Sequence, residues 1–224
     1  MAPLALGMTP PPTAGLAQAS WKPLGPGNIG GRTRTILIHP TNLDTIWAGS
    51  VGGGIWRTDD GGQSWAPVDD FMANLAVTCL VVDPHDANLI YAGTGEGFGN
   101  LDSLRGGGIF RTSDGIHWSQ VASTAGPGWN VVNRMAISSD SRTLLVATSE
   151  GIRRSVDPPR ATWQTVLAAN VADVKFHPTD PDLAVAGSIS SGMAWFSKDG
   201  GATWTQSTHA GGPGRACRTL LCPR

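Results

Sequence analysis

Carboxylates and guanidinium groups carry most of the chemical potential in this sequence, and several of them lie near one another. Glu96 and Asp102 share the stretch GTGEGFGNLDSLRGGG with Arg105, Arg32 and Arg34 share RTRT, and Arg134 and Asp173 sit in apolar runs further on. Two carboxyl groups opposed across a sugar can break a glycosidic bond, one as acid and the other as base or nucleophile. Glu96 is the first candidate for such a role and Asp102 the second, with Asp173 as the other group able to oppose Glu96. Guanidinium forks match carboxylates in a bidentate way, so arginines mark places where anionic or hydroxylated ligands can be held. Arg34, Glu96, Arg105, Arg134 and Asp173 form the candidate ligand-binding set. No local motif ties these residues together, so the fold must decide which of them meet.

Other chemistries find less support. The sole tyrosine, Tyr91, falls in the strand-like LIYAGT and reads as a core or interblade aromatic. Cys79 sits in an apolar run, where a buried inert thiol is the default. Cys217 and Cys222 match no strong metal spacing and stay unassigned. His39 and His177 both precede a proline at repeat-equivalent turns and read as turn residues. GTGEG is glycine-rich but lacks the strand-to-helix setting that phosphate binding needs. No metal site and no cofactor are expected.

Composition narrows the partners. The 224 residues are 40% hydrophobic and 15% charged with a formal net charge of -1, the balance of a folded domain without a basic footprint for nucleic acid. No apolar run approaches the ~18 residues of a membrane span, so insertion in a bilayer is not expected. Thirty glycines, sixteen prolines and nine tryptophans against one tyrosine fit many short strands joined by tight turns. Residues 1–20 read as a flexible proline-rich leader or a weak signal segment without a positive start.

The elements that must position the candidate residues recur. T-D-D-G-G-Q-S-W ends at Trp65, T-S-D-G-I-H-W at Trp118, S-V-D-P-P-R-A-T-W at Trp163 and S-K-D-G-G-A-T-W at Trp204. Their aspartates are Asp60, Asp114, Asp157 and Asp199. Before each phrase the chain repeats an alternating apolar strand, a polar turn, a second strand, a glycine-rich turn and a third strand. A short segment after each tryptophan can serve as a fourth. Four antiparallel strands at a period of roughly 40 to 45 residues are the signature of propeller blades. The predicted fold is all-β, a β-propeller array of about four blades over 21–208, followed by an irregular basic tail over 209–224. Registering the first strands places Thr35, Cys79, Arg134 and Asp173 in one column, with Arg34, Thr78, Asn133 and Ala172 beside it.

The phrase from Ser197 to Trp204 matches every defined position of the Asp-box, or BNR repeat, S-x-D-x-G-x-T-W, and the chain resembles the Asp-box propeller family. That family includes sialidases, sortilin-type receptors, xyloglucan-degrading endoglucanases and photosystem assembly factors, and the wider sentence is similar to bacterial BNR-like, sortilin-N-terminal-like repeat proteins. The resemblance implies that Asp60, Asp114, Asp157 and Asp199, with Trp65, Trp118, Trp163 and Trp204, are structural and lie on the outer rim. Sialidase chemistry would need a tyrosine nucleophile, which Tyr91 is not placed to be. Xyloglucan-degrading relatives are expected to carry an aspartate near the end of the strand that here reads IWAGSVGGGIW, where Ser50 and Val51 stand.

The leading expectation is a non-catalytic propeller module that binds a protein or carbohydrate, extracellular or periplasmic. A glycoside hydrolase fragment is the runner-up and a protein-assembly factor the third reading. Resembling families close their rings with more blades, so a truncated member, completed by self-association, is also expected.

Overall fold

Alternation of apolar and polar residues, broken by proline and glycine turns, produces short antiparallel strands and little else. The computed structural model describes residues 31–68, 74–99 and 101–207. The leader, residues 21–30 of the blade span, the 209–224 tail, Cys217 and Cys222 lie outside the described residues.

Among the described residues sixteen strands form four sheets of four, each in sequence order, as expected for an all-β propeller array. Blade 1 holds β1 (Arg32–Ile38), β2 (Ile46–Val51), β3 (Gly54–Thr58) and β4 (Ala66–Pro67). Blade 2 holds β5 (Val77–Val82), β6 (Ile90–Thr94), β7 (Ile109–Thr112) and β8 (Ser119–Gln120). Blade 3 holds β9 (Val132–Ile137), β10 (Leu144–Thr148), β11 (Ile152–Ser155) and β12 (Gln164–Leu167). Blade 4 holds β13 (Val171–Phe176), β14 (Ala184–Ser188), β15 (Ala194–Ser197) and β16 (Thr205–Gln206). First strands pack side by side in the order β1, β5, β9, β13 and form the inner wall.

The core lies between blades. Each blade turns a forward face to the next one, and three apolar clusters fill the three junctions. Trp47, Tyr91 and Leu145 occupy the same place on the second strands of blades 1, 2 and 3, and each is buried against the following blade. Glycine enters where blades approach closely: a Cβ on Gly49 would stand 2.6 Å from Val77, and one on Gly93 would stand 2.5 Å from Val132. Tyr91 is 1% exposed beneath the Arg160 guanidinium of blade 3, so it is an interblade aromatic, as its strand position predicts.

Every inner strand carries one extra residue at the same register, a β-bulge. The bulged residues are Arg34, Thr78, Asn133 and Ala172, the column beside the inner one. A bulge re-aims a side chain, and here it aims at the next blade. Thr78 Oγ1 donates to the Val132 carbonyl at 2.5 Å, and Asn133 Nδ2 donates to the Val171 carbonyl at 2.7 Å.

The junctions make a stability contrast testable. Leu145→Ala, which empties a fully buried junction site, should cost about 3 kcal/mol in urea unfolding. Val185→Ala at the equivalent place on the open forward face of blade 4 should cost less than about 0.5 kcal/mol.

Candidate functional site

Antiparallel order sorts the loops onto two edges of the array. The start of each first strand shares one edge with the loop between second and third strands, and the turns after first and third strands share the other. The Glu96 loop therefore meets the start of β1, while the four Asp phrases lie at the opposite edge. Three of the candidate residues converge at the first edge, together with Arg32.

Glu96 is buried, and its side chain has no exposed surface. Arg32 Nη2 donates to its Oε2 at 2.6 Å, Arg34 Nε donates to its Oε1 at 3.0 Å, and Arg34 Nη2 also bonds Oε1. Arg32 reaches on from Glu96 to the exposed carboxylate of Asp102. Arg34 lies over the Phe98 ring at 5.3 Å, a cation-π contact. Burial alone would raise the Glu96 carboxyl, but the hydrogen bonds from Arg34 and Arg32 outweigh it and hold the group below its ordinary range. The Arg32 bond likewise lowers Asp102. Glu96 is thus a buried and paired group although it sits in a loop. Arg32 is the member of this charged cluster that the candidate set omitted; its one sequence signal is its spacing from Arg34, which puts both near the bulge.

The remaining candidates divide between two cavities. Arg34, Arg134 and Asp173 line an open cleft of about 650 Å³ along the four inner strands, with Cys79 and Lys175 in its wall. Arg134 Nη1 donates to the Thr78 carbonyl at 3.2 Å, and Asp173 is buried. Burial pushes the Cys79 thiol up to about 11, which leaves it inert. Arg105 does not reach the cleft. It joins Glu96 and Glu150 around a separate pocket of about 280 Å³ at the first edge, so the five candidate binding residues do not form a single site. Among the described residues no group of His, Cys, Asp and Glu is arranged to hold a metal ion. No helix among them is long and apolar enough to cross a membrane.

At the opposite edge each aspartate holds its own turn. Asp199 accepts the Thr203 N–H at 2.9 Å, the Thr203 hydroxyl at 2.5 Å and the Ser197 hydroxyl at 2.8 Å, and Asp60 repeats the set with Ser64 and Thr58. Thr203 is the main cause that lowers Asp199 to about 2. In Asp157 burial opposes ionisation, yet bonds from Ser155 and Ala161 bring it to about 2. The indoles of Trp65, Trp163 and Trp204 donate to the carbonyls of Gly62, Arg160 and Gly201. Trp118 departs from this: its indole N–H has no partner among the described residues. Its phrase is one residue shorter, and the Gly115 carbonyl takes the Trp47 indole at 3.1 Å instead. The pre-proline histidines are turn acceptors, since His39 Nδ1 accepts the Asn42 N–H at 3.0 Å and His177 Nδ1 accepts the Asp180 N–H at 3.2 Å.

No family model matches the chain. A xyloglucanase of a Paenibacillus species is 26% identical over 200 residues, covering 87% of this chain and 16% of its own length. A xyloglucanase of Acetivibrio thermocellus is 30% identical over 160 residues, covering 65% of this chain and 19% of its own. The chain thus spans less than a fifth of the length of these relatives. Among solved structures, an ancestral GH74 enzyme overlays with a TM-score of 0.65 at 20% identity, over 85% of this chain and 26% of that one. The GH74 enzyme of Niastella koreensis overlays at 0.60 and 20% identity, over 80% of this chain and 30% of its own. These overlays establish the propeller fold.

Two measurements check the charged groups. Glu96→Gln removes the negative charge and replaces one of the two acceptor oxygens by an NH2 donor facing a guanidinium, and should lower stability at pH 7 by about 2 kcal/mol in urea unfolding. Because carboxylates such as Asp199 and Asp157 are depressed in the folded state, their contribution is complete above the unfolded pKa near ~4 and fades as pH falls toward about 2. The urea midpoint should drop across that window, and Asp199→Asn should lower the pH 7 midpoint while flattening the acid drop.

Proposed function

We propose that these four blades are a segment of a glycoside hydrolase of the xyloglucanase kind, and that the inner cleft holds a carbohydrate chain. The observation that carries this reading is the match to xyloglucanases along most of the chain. It favours the hydrolase reading over a module with no relation to catalysis, which was the leading expectation from sequence. The cleft suits the role in size and lining: about 650 Å³ with Arg34, Arg134, Asp173 and Lys175 able to bond sugar hydroxyls. Acting outside the cell, where such a polysaccharide is met, belongs to the same proposal.

Within the segment the division of labour follows from charge. A glycosidase needs one carboxyl that keeps its proton at working pH, and its pKa is therefore raised. Glu96 and Asp102 are both lowered by arginine, so neither suits the acid role. Ser50 and Val51 supply no carboxylate at the end of β2, and both are buried. We therefore assign this segment to holding the polysaccharide, with the acid supplied elsewhere in the architecture.

Affinity electrophoresis in gels containing soluble xyloglucan tests the reading. The expected result is retardation of the chain without release of reducing ends, weakened several-fold by Arg134→Ala. Unretarded migration would remove the carbohydrate role; release of reducing ends that Glu96→Gln abolishes would return Glu96 to catalysis.

A further inference from the structure

Arginine recurs at one place on the third strand of blades 1, 2 and 3, opposite the large side chain of the second strand, and its partners differ. Arg57, opposite Trp47, gives Nε and Nη2 to Asp59 at 3.0 and 2.7 Å and lies over the indole. Arg154, opposite Leu145, donates its Nε to the Gly200 carbonyl of the next blade at 2.9 Å. Arg111, opposite Tyr91, is exposed and has no hydrogen bond, ion pair or ring contact among the described residues. Two sequence changes account for this. Ser113 stands where blade 1 has Asp59, and the blade 3 turn carries Arg160 where the turns of blades 2 and 4 carry Gly115 and Gly201.

Arg160 adds a second cation at the same junction. It is 1% exposed, its Nη atoms bond the carbonyls of Arg142, Ser155 and Ser141, its Nε has no partner, and no carboxylate pairs with it among the described residues. Its guanidinium stands 6.0 Å from the centre of the Tyr91 ring, so two guanidinium groups flank one tyrosine without a counter-ion. Like charges placed so raise each other's energy, and an oxyanion beside them lowers it. Asp114 in the neighbouring turn does not serve, because Thr112, Ile116 and His117 already occupy its oxygens.

Two hollows of about 440 and 420 Å³ meet here on the outer rim between blades 2 and 3, and they share Arg111 and Ser119. Neither is lined by a carboxylate, unlike the inner cleft with Asp173 or the first-edge pocket with Glu96 and Glu150. Away from the shared arginine the walls hold hydroxyl and amide groups, Thr112 and Ser113 on one side and Gln120 and Ser123 on the other. A free inorganic ion on Arg111 would leave both hollows unfilled, whereas a sugar on each side would meet those groups with its hydroxyls. We propose that this rim groove binds an acidic oligosaccharide, with a uronate carboxylate on Arg111 and sugar rings in the hollows on either side. The site lies at the edge of the Asp phrases, away from the inner cleft, and stands independently of the carbohydrate reading given to that cleft.

Calorimetric titration of the full chain with trigalacturonate at low ionic strength is the test. The expected result is saturable binding that Arg111→Gln weakens about tenfold, the loss of one charge-assisted contact, with unchanged circular dichroism. The fully methyl-esterified trimer, which keeps the hydroxyls and lacks the charge, should bind about tenfold more weakly for the same reason. Sodium sulfate, an oxyanion without a sugar, should also bind more weakly than the trimer. Absence of binding, equal binding of the ester, or equal binding by Arg111→Gln would each overturn the proposal. Sulfate as tight as the trimer would reduce the groove to an ion site and overturn the sugar assignment. Loss of trimer binding through Arg134→Ala in place of Arg111→Gln would put the trimer in the inner cleft, and the proposal would fail.

Discussion

Every junction in the array depends on one contact, a large side chain from a second strand seated on the Asp-phrase turn of the next blade. A blade of four short strands cannot bury both faces alone, so its stability comes from its neighbours. This gives the glycine of the phrase a second reason to be glycine. Gly115 and Gly201 have positive φ, and a Cβ there would fall 2.7 Å from Trp47 and 2.7 Å from Leu145 respectively. Blade 3 solves the same problem with a different residue. Arg160 adopts a φ of 57°, folds back to bond the carbonyls of Arg142 and Ser141, and lays its guanidinium over Tyr91.

The second repeated device is the bulge on each inner strand, and it places the charged cluster in a structural series. Thr78 and Asn133 reach a backbone carbonyl of the following blade. Arg34, at the same register in blade 1, reaches Glu96 of blade 2. The pair is therefore a longer and charged version of the same latch. Glu96 lies two residues past the end of β6, at the start of the loop to β7, and meets Arg34 of β1 across the first edge. A buried carboxylate held by two arginines costs desolvation that only such bonds repay.

Much of this was legible from the chain itself. The period fixed the blade number among the described residues, alternation fixed the strand faces, and repeat register placed Cys79, Arg134 and Asp173 on the inner wall and Tyr91 in a junction. What escaped involves contacts between repeats. Arg32 has no counterpart in the later blades, so alignment gave it no role, and its two partners lie in another blade. Arg105 was grouped with the inner-wall residues because it is near Glu96 in sequence, whereas the loop turns it toward the pocket beside Glu150. The bulged residues carried only a weak signal: Arg34, Thr78 and Asn133 are polar, but only Thr78 stands between two apolar neighbours, Val77 and Cys79, so alternation alone does not mark the bulge.

The same latch sets the chemistry available at the first edge. Burial by itself would have made Glu96 a proton carrier, the condition under which a carboxyl serves as a general acid. Two guanidinium groups reverse that tendency, and Asp102 shares one of them, so any ligand that drew Arg32 away would disturb both carboxylates together. Arg34 adds a further linkage, because it lines the cleft while it holds the junction of blades 1 and 2. Occupancy of the cleft at Arg34 and the packing of these two blades are therefore coupled through one side chain. In the proposed role, a charge committed to the architecture in this way positions a bound chain, while the two guanidinium groups that lower Glu96 oppose its service as the acid.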